Sequence, residues 1–419
     1  HPISVTVPGA VAGWIELSKR YGNLKIEEIL DLGIELCHEG FEINEELYNS
    51  LTLHKEELSG QASGYGFYRD NQPFETGKMI RRPQLGKTLE LLKRNGLEYF
   101  YDSDITKSIS SSVNGILSYD DLKNFKAEWK KPLHSKIYGF DGWTSPPSTQ
   151  GYLTLSTLKA IEMLGAEHDD LHRVIETYRI FAADRDNITY DYGKNIKDFK
   201  GVDLDYIQEK IKLFNPNHSE KFDFPKPRGG GTAYMNTVDK NGLGVSLIQS
   251  NFHGIGSRIG VGSFGFFLHN RGCGFNLDSG HPNYLTPGRK PLHTLSPTIW
   301  SKNGNLEFIA GTRGGRYQPQ LLIQTILPYI QKSDSFEEII KEPRWVIENF
   351  SNDTLSKLRF EKINNEDLKI LLQKGHEVEV ENKFNKAYGP ISIIYKKNDG
   401  NFEGVCDVRV GTEKVFNSF

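Results

Sequence analysis

Arg228-Gly229-Gly230-Gly231-Thr232-Ala233-Tyr234-Met235-Asn236-Thr237-Val238-Asp239 is the stretch on which the rest of the chain turns. Three glycines run into one threonine, and an alternating, strand-like segment follows at once. Upstream the sequence reads mostly helical; downstream the strands and most of the glycines begin. A flexible run beside a hydroxyl at the head of a strand suits an ordinary loop. It equally suits a place where the chain is cut and the threonine is freed to act as a nucleophile.

Working upstream, residues 215–231 hold Asn-Pro-Asn-His-Ser, then Pro225, Pro227 and the glycines, a linker composition. Before it, Ile26, Ile29, Leu30, Ile34 and Cys37 recur at helical spacing and Gly40 offers a stop. Leu85, Leu89 and Leu92 form a second stripe ended by Asn95-Gly96, and Ser118 with Asp121 reads as an N-cap with a first-turn acid. Helical patterns continue over 154–164 and 168–183, with a short strand expected near Lys136 to Gly139. Downstream come three hairpin signals. Asn241-Gly242, Asn303-Gly304 and Asn398-Asp399-Gly400 each separate two alternating runs, and such turns need residues that tolerate positive φ. Helices are expected at 319–331 and 365–374. Hairpins covered by helices predict an antiparallel, layered α+β core rather than βαβ units.

At 419 residues the chain is long for one core, which predicts two domains or one large layered domain. The division expected is a helix-rich portion over 1–214, a linker over 215–231 and a strand-rich portion over 232–419. A net charge of −3 gives no electrostatic case for nucleic acid. Three scattered cysteines indicate neither a disulfide framework nor a zinc site, so no metal is expected. No apolar run approaches the roughly 18 residues that span a bilayer. His1-Pro2-Ile3-Ser4-Val5 is no signal peptide, which favours the cytoplasm without fixing a compartment.

Two familiar motifs read better as ordinary structure. Gly260-Val261-Gly262-Ser263-Phe264-Gly265 matches G-x-G-x-x-G, but Phe266-Phe267-Leu268 follows where a dinucleotide site needs a helix, so a turn is expected and no cofactor. His168-Asp169-Asp170-Leu171-His172 lacks the glutamate of H-E-x-x-H and reads as a solvated helix face. Beside Gly229–Thr232, a second glycine cluster stands out. Gly311-Thr312-Arg313-Gly314-Gly315 follows a strand and precedes a helix, where adjacent glycine amides can receive a developing oxyanion. A plain strand-to-helix turn fits the same residues.

These residues, taken in order, resemble the γ-glutamyltranspeptidase family. Val5-Thr6-Val7-Pro8-Gly9 through Gly13 resembles its V-P-G-x-x-x-G stretch, Ser145-Pro146-Pro147-Ser148-Thr149-Gln150-Gly151 its P-P-P-S-S-G-G segment, and Ala183-Asp184-Arg185 its A-D-R. Thr232 through Asp239 aligns with T-T-H-x-S-V-V-D, Lys290 through Thr298 with R-P-L-S-S-M-S-P-T, and Gly311–Gly315 with G-S-P-G-G. The resemblance implies an αββα sandwich of the N-terminal-nucleophile hydrolase type. It implies a scissile Gly231–Thr232 bond, large and small subunits from one precursor, and Thr232 as nucleophile. Ser250 then stands where the family has a second hydroxyl on the nucleophile, and the amides of Gly314 and Gly315 hold the oxyanion.

The departures bear on substrate. The family's N-N-Q-x-x-D-F reads His269-Asn270-Arg271-Gly272-Cys273-Gly274-Phe275, so its glutamine has become Arg271 and its acid Gly274. A family asparagine has become Phe252, and the first serine of the S-S pair is His293, leaving Thr294 as the hydroxyl. Arg271 would attract a carboxylate. Arg271, Thr294, His293 and Phe252 are therefore the expected substrate-binding residues. The pattern is similar to the transpeptidase-like and cephalosporin-acylase-like members. It implies an autoprocessing amidohydrolase acting on a small-molecule amide whose acyl group bears a carboxylate. A true γ-glutamyl hydrolase or transpeptidase, or an uncut inactive relative with a binding role, are the alternatives, and a homo-oligomer is left open.

Overall fold

The computed structural model describes residues 1–222, 231–347, 357–411 and 415–416. Arg228, Gly229 and Gly230, with the rest of 223–230 in the expected linker, lie outside the described residues. By packing, the chain divides into two units, His1–Trp129 with Asn251–Cys273, and Lys130–Ser250 with Gly274–Phe419.

The first unit is mainly helical. Helices Ile26–Glu39 and Pro83–Asn95 pack together along the stripes read in the sequence, with Leu30, Ile34, Leu89 and Leu92 in one apolar cluster. Gly40 ends the first of them at φ 105°, a backbone that favours glycine. Ser118 caps Tyr119–Lys123, and Asp121 returns the bond to complete a capping box. The glycine-rich 260–265 motif is the expected turn: a short 3-10 helix, Gly262–Phe264, closes on Gly265 at φ 77°.

In the second unit a six-stranded antiparallel sheet runs in the order Phe402–Cys406, Ile391–Lys396, Asn305–Thr312, Thr298–Lys302, Phe140–Thr144, Leu133–Ile137. The Asn303-Gly304 turn takes φ 51° and 80°, as a two-residue hairpin requires. Alternation along Asn305–Thr312 sorts the sheet's two faces. Phe308 and Ala310 join Leu321, Leu322 and Ile326 of helix Tyr317–Ile330 and Leu155 and Leu158 of helix Tyr152–Leu164 in the main core. Ile309 and Gly311 instead meet Gly244 and Tyr234 of the hairpin Gly231–Val238/Gly244–Phe252, which forms its own two-stranded sheet. Helices cover one face and a second sheet the other, the layered α+β arrangement expected.

Several details differ from expectation. The strand expected near Lys136 to Gly139 is there but lies earlier, at Leu133–Ile137, and Tyr138 and Gly139, at φ 47° and 81°, form the turn of its hairpin. A bulky residue in that region gives no turn signal in sequence. The core also holds one βαβ unit, since Lys357–Phe360 runs parallel to Glu377–Val380 across helix Asn365–Gln373. The helix expected over 168–183 starts at Leu171, with Asp170 as its N-cap. His172 is not on a solvated face; it is buried and bonded to His376 at 2.8 Å and to the Asn215 carbonyl at 2.9 Å. Glu176 and Arg179 of the same helix hold Ser219 and Glu220, and the Ser219 amide donates to the Lys374 carbonyl at 2.7 Å. The beginning of the expected linker is thus anchored.

Candidate active site

Thr232 stands on the first strand of the two-stranded sheet. Thr232, Tyr234, Asn236 and Val238 are half-buried there, while Ala233, Met235 and Thr237 are exposed, so Thr232 faces inward. Two contacts fix that strand on the central sheet. Tyr234 lies over Gly311, where an added Cβ would come within 2.0 Å of the ring, and Asn236 Nδ2 donates to the Ser392 carbonyl at 3.1 Å. Ser250, near the end of the neighbouring strand, accepts a hydrogen bond from Thr232 Oγ1 at 3.1 Å. Two residues 18 apart in sequence therefore meet because the Asn241-Gly242 turn, with Gly242 at φ 82°, folds one strand onto the other.

The second glycine cluster joins the strand Asn305–Thr312 to the helix Tyr317–Ile330. Gly314 and Gly315 take φ 112° and 59°, backbone that side chains resist. The Tyr317 amide donates to the Gly314 carbonyl at 3.0 Å, and the Gln318 amide to the Gly315 carbonyl at 3.3 Å. With both carbonyls turned into the helix, the Gly315 N–H, antiparallel to the Gly314 carbonyl in their shared peptide plane, points away from it.

Gln150 touches this turn, and reading the sequence gave it no role. It is fully buried, and its Nε2 donates to the Gly315 carbonyl at 2.8 Å and the Thr294 carbonyl at 2.9 Å. Its Oε1 accepts from Arg185 at 3.1 Å, and Arg185 Nε donates to Asp186 at 2.7 Å. Thr294 is buried; His293 is half-buried, with its amide donating to the Ser148 carbonyl at 2.7 Å and its carbonyl accepting from the Gln150 amide at 3.1 Å. Thr294 and the glycine turn are thus brought together through one side chain. Gln150 and Arg185 both lie in segments that carry the family resemblance. The family has glycine at the first of these positions, so no role could be carried over to Gln150.

In the first unit Phe252 and Arg271 are brought together. The Arg271 guanidinium lies over the Phe252 ring at 4.3 Å and is only 4% exposed. Asn270 holds the two segments, its amide donating to the Asn251 carbonyl and its Oδ1 accepting from the His253 amide, both at 3.1 Å. Phe252 itself takes φ 76°, a strained backbone for a bulky residue. Neither terminal nitrogen of Arg271 has a hydrogen-bond partner among the described residues. Burial lowers its pKa to about 10. The neighbouring His269 stays neutral: burial, then Arg271 itself, push its pKa down to about 4. A buried cation with its donors unused is costly unless an anion arrives to take them.

An inward threonine hydrogen-bonded to a second hydroxyl, on a hairpin laid against a sheet with helices behind it, is the arrangement of the N-terminal-nucleophile hydrolases. The family model described as gamma-glutamyltranspeptidase matches residues 1–416, and the chain belongs to that family. It is an enzyme of that hydrolase and acyltransferase group. Among its relatives, the glutathione hydrolase-like YwrD proenzyme of Bacillus subtilis (strain 168) is 28% identical over 97% of this chain and 79% of its own length. The oxamate amidohydrolase proenzyme of Klebsiella pneumoniae is 29% identical over 97% and 80%. The crystal structure of cephalosporin acylase from Bacillus halodurans superposes with a TM-score of 0.86 at 25% identity, over 98% of this chain and 77% of that one. The αββα sandwich of this hydrolase type is the fold. No described helix is long and apolar enough to cross a membrane.

Proposed function

We propose that this enzyme cuts its own chain at Gly231–Thr232 and then hydrolyses amides of a carboxylate-bearing acyl group through an acyl-enzyme on Thr232. Autoprocessing is supported by the relatives, which are named proenzymes. The observation that carries the acyl class is the buried Arg271 guanidinium, both of whose terminal nitrogens lack a hydrogen-bond partner among the described residues. Thr232 Oγ1 attacks the amide carbonyl. The α-amino group released by the cut, whose reference pKa is about 7.7–8.0, takes the hydroxyl proton. The amides of Gly314 and Gly315 receive the oxyanion, each such donor being worth about 10²–10³ in rate. As the tetrahedral intermediate collapses, the ammonium returns the proton to the leaving amine. Water then attacks the ester and frees the acid and Thr232. Ser250, hydrogen-bonded to Thr232 Oγ1, holds that oxygen in place, and its own hydroxyl proton turns toward Oγ1 when the α-amino group takes the Thr232 proton. Arg271, stacked on Phe252, is the proposed partner of the acyl group's carboxylate, and Thr294 and His293 are proposed as further substrate-binding residues.

A true γ-glutamyl hydrolase is favoured by the name of the YwrD relative. It would have to hold an ammonium group where Arg271 and Gly274 replace the family's glutamine and acid. Intact-mass measurement after incubation is the first test: two fragments that meet at Gly231–Thr232 are expected from the wild type, and one uncut chain from Thr232→Ala. Turnover of a glutaryl amide well above that of a γ-glutamyl anilide is expected of the mature protein, and Arg271→Met should remove the preference. Cutting by Thr232→Ala, or efficient transpeptidation from γ-glutamyl anilide to glycylglycine, would overturn the proposal.

A further inference from the structure

The geometry points to Gln150 as a positioning residue that sets the oxyanion turn and ties it to the substrate-side segment at Thr294. This rests on the proposed roles of Thr232 and of the Gly314 and Gly315 amides. One fully buried amide group satisfies two main-chain carbonyls from different segments, Gly315 at 2.8 Å and Thr294 at 2.9 Å. A carboxamide –NH2 carries two donors, so each carbonyl takes one of them and none is left over. The opposite end of the side chain is fixed as well, because Arg185 donates to Gln150 Oε1 at 3.1 Å and is itself held by Asp186. That bond decides the orientation of the amide, presenting oxygen to the cation and nitrogen to the carbonyls.

The consequence for the turn follows from peptide geometry. Gly315 sits at φ 59°, and glycine has no side chain to hold a unique ψ there. Its carbonyl already accepts from the Gln318 amide, but at 3.3 Å, a long bond at the first turn of a helix. The shorter bond from Gln150 holds the peptide that follows Gly315 and so anchors the Gly315 Cα, one of the two points between which the preceding peptide, carrying the Gly315 N–H, is hung. An oxyanion donor is worth its full value only when aimed in advance. The same side chain holds the Thr294 carbonyl, so a displacement on one side is transmitted to the other. Gln150 touches neither nucleophile nor substrate and acts through the groups it holds.

The test is kinetic, on the mature enzyme, with active sites counted by an electrophile that acylates Thr232. Gln150→Leu keeps the bulk and removes both donors; Gln150→Glu keeps the shape and the Arg185 contact but turns an acceptor toward two carbonyls. In each, kcat per titrated site is expected to fall about 10–100-fold, the scale of a misplaced catalytic group. For Gln150→Leu the loss should be uniform from pH 6 to 9, because that change neither removes nor adds a group that titrates in the range. A purely structural role would lower the melting temperature or the titrated fraction and leave kcat per site unchanged. If both variants stay within threefold of wild-type kcat per site, or if neither yields a folded chain, Gln150 is not a positioning residue. Failure of the underlying reading is seen separately: wild-type protein then turns over no amide, or Thr232→Ala still does.

Discussion

Gly311 shows how much of the site depends on single atoms. The Tyr234 ring occupies the space a Cβ would need, with its nearest atom 2.0 Å from that position. Gly311→Ala is therefore expected to destabilise the protein by about 3 kcal/mol, the upper end for overpacking a tight core, and to displace the strand that bears Thr232. Denaturant unfolding measures the first effect, and the double variant Gly311→Ala/Tyr234→Ala should recover part of the loss. At this scale the sequence was legible where residues matched an ordered set of motifs. Thr232 and Ser250 were named from it, and the structure brings their hydroxyls to 3.1 Å. Arg271 and Phe252 were named from departures, and they stack. Gln150 stayed hidden because its importance lies in reaching two carbonyls 144 and 165 residues away, which no local pattern encodes.

Among the elements, hairpins with Asn or Gly in their turns were readable, since those residues advertise positive φ. The hairpin Leu133–Ile137/Phe140–Thr144 was not, because Tyr138 occupies the left-handed position. Tyr138 stays there by docking: its hydroxyl accepts from Gln331 Nε2 at 3.0 Å and reaches the Ala166 carbonyl at 3.3 Å, while its ring packs against the main core. Replacing it by Asn would relieve roughly 1 kcal/mol of backbone strain. It would also forfeit two hydrogen bonds and ring burial, together about 2–4 kcal/mol. Tyr138→Asn is thus expected to lose about 1–3 kcal/mol net, against the gain that turn statistics alone would forecast; thermal unfolding decides the sign. The βαβ unit escaped for a related reason: Lys357–Phe360 and Glu377–Val380 are four-residue strands with charges interleaved, too short for their period to separate them from loop.

For the molecule as a whole, the buried pair His172 and His376 contributes to the loss of stability in acid. Burial, with Arg179, His172 and Lys374 nearby, depresses the His376 pKa to about 3, and burial lowers that of His172. Glu176, 3.9 Å from His376, is already engaged by Arg179, Ser219 and Glu220, and Asp170 lies at the start of the same helix. In the unfolded chain each imidazole binds its proton near pH 6.5. Between that pH and the depressed values the unfolded state carries more protons, so stability is full above about pH 6.5 and is lost as pH falls. His376→Gln is expected to flatten the decline between pH 6.5 and 5 by up to about 2 kcal/mol, read by urea unfolding across that range. Equal slopes in the two proteins would refute it. The six-stranded sheet carries a further consequence. Phe140–Thr144 precedes Thr232 in sequence and pairs directly with Thr298–Lys302, which follows it. While the backbone is continuous, that seam closes as an intramolecular event whose rate ignores concentration. If Gly231–Thr232 is cut as proposed, the folded molecule keeps the seam but its unfolded state becomes two separate chains, and closing it again is a bimolecular encounter. Maturation would then act as a ratchet, turning a protein able to refold alone into one preserved by the slowness of its own unfolding.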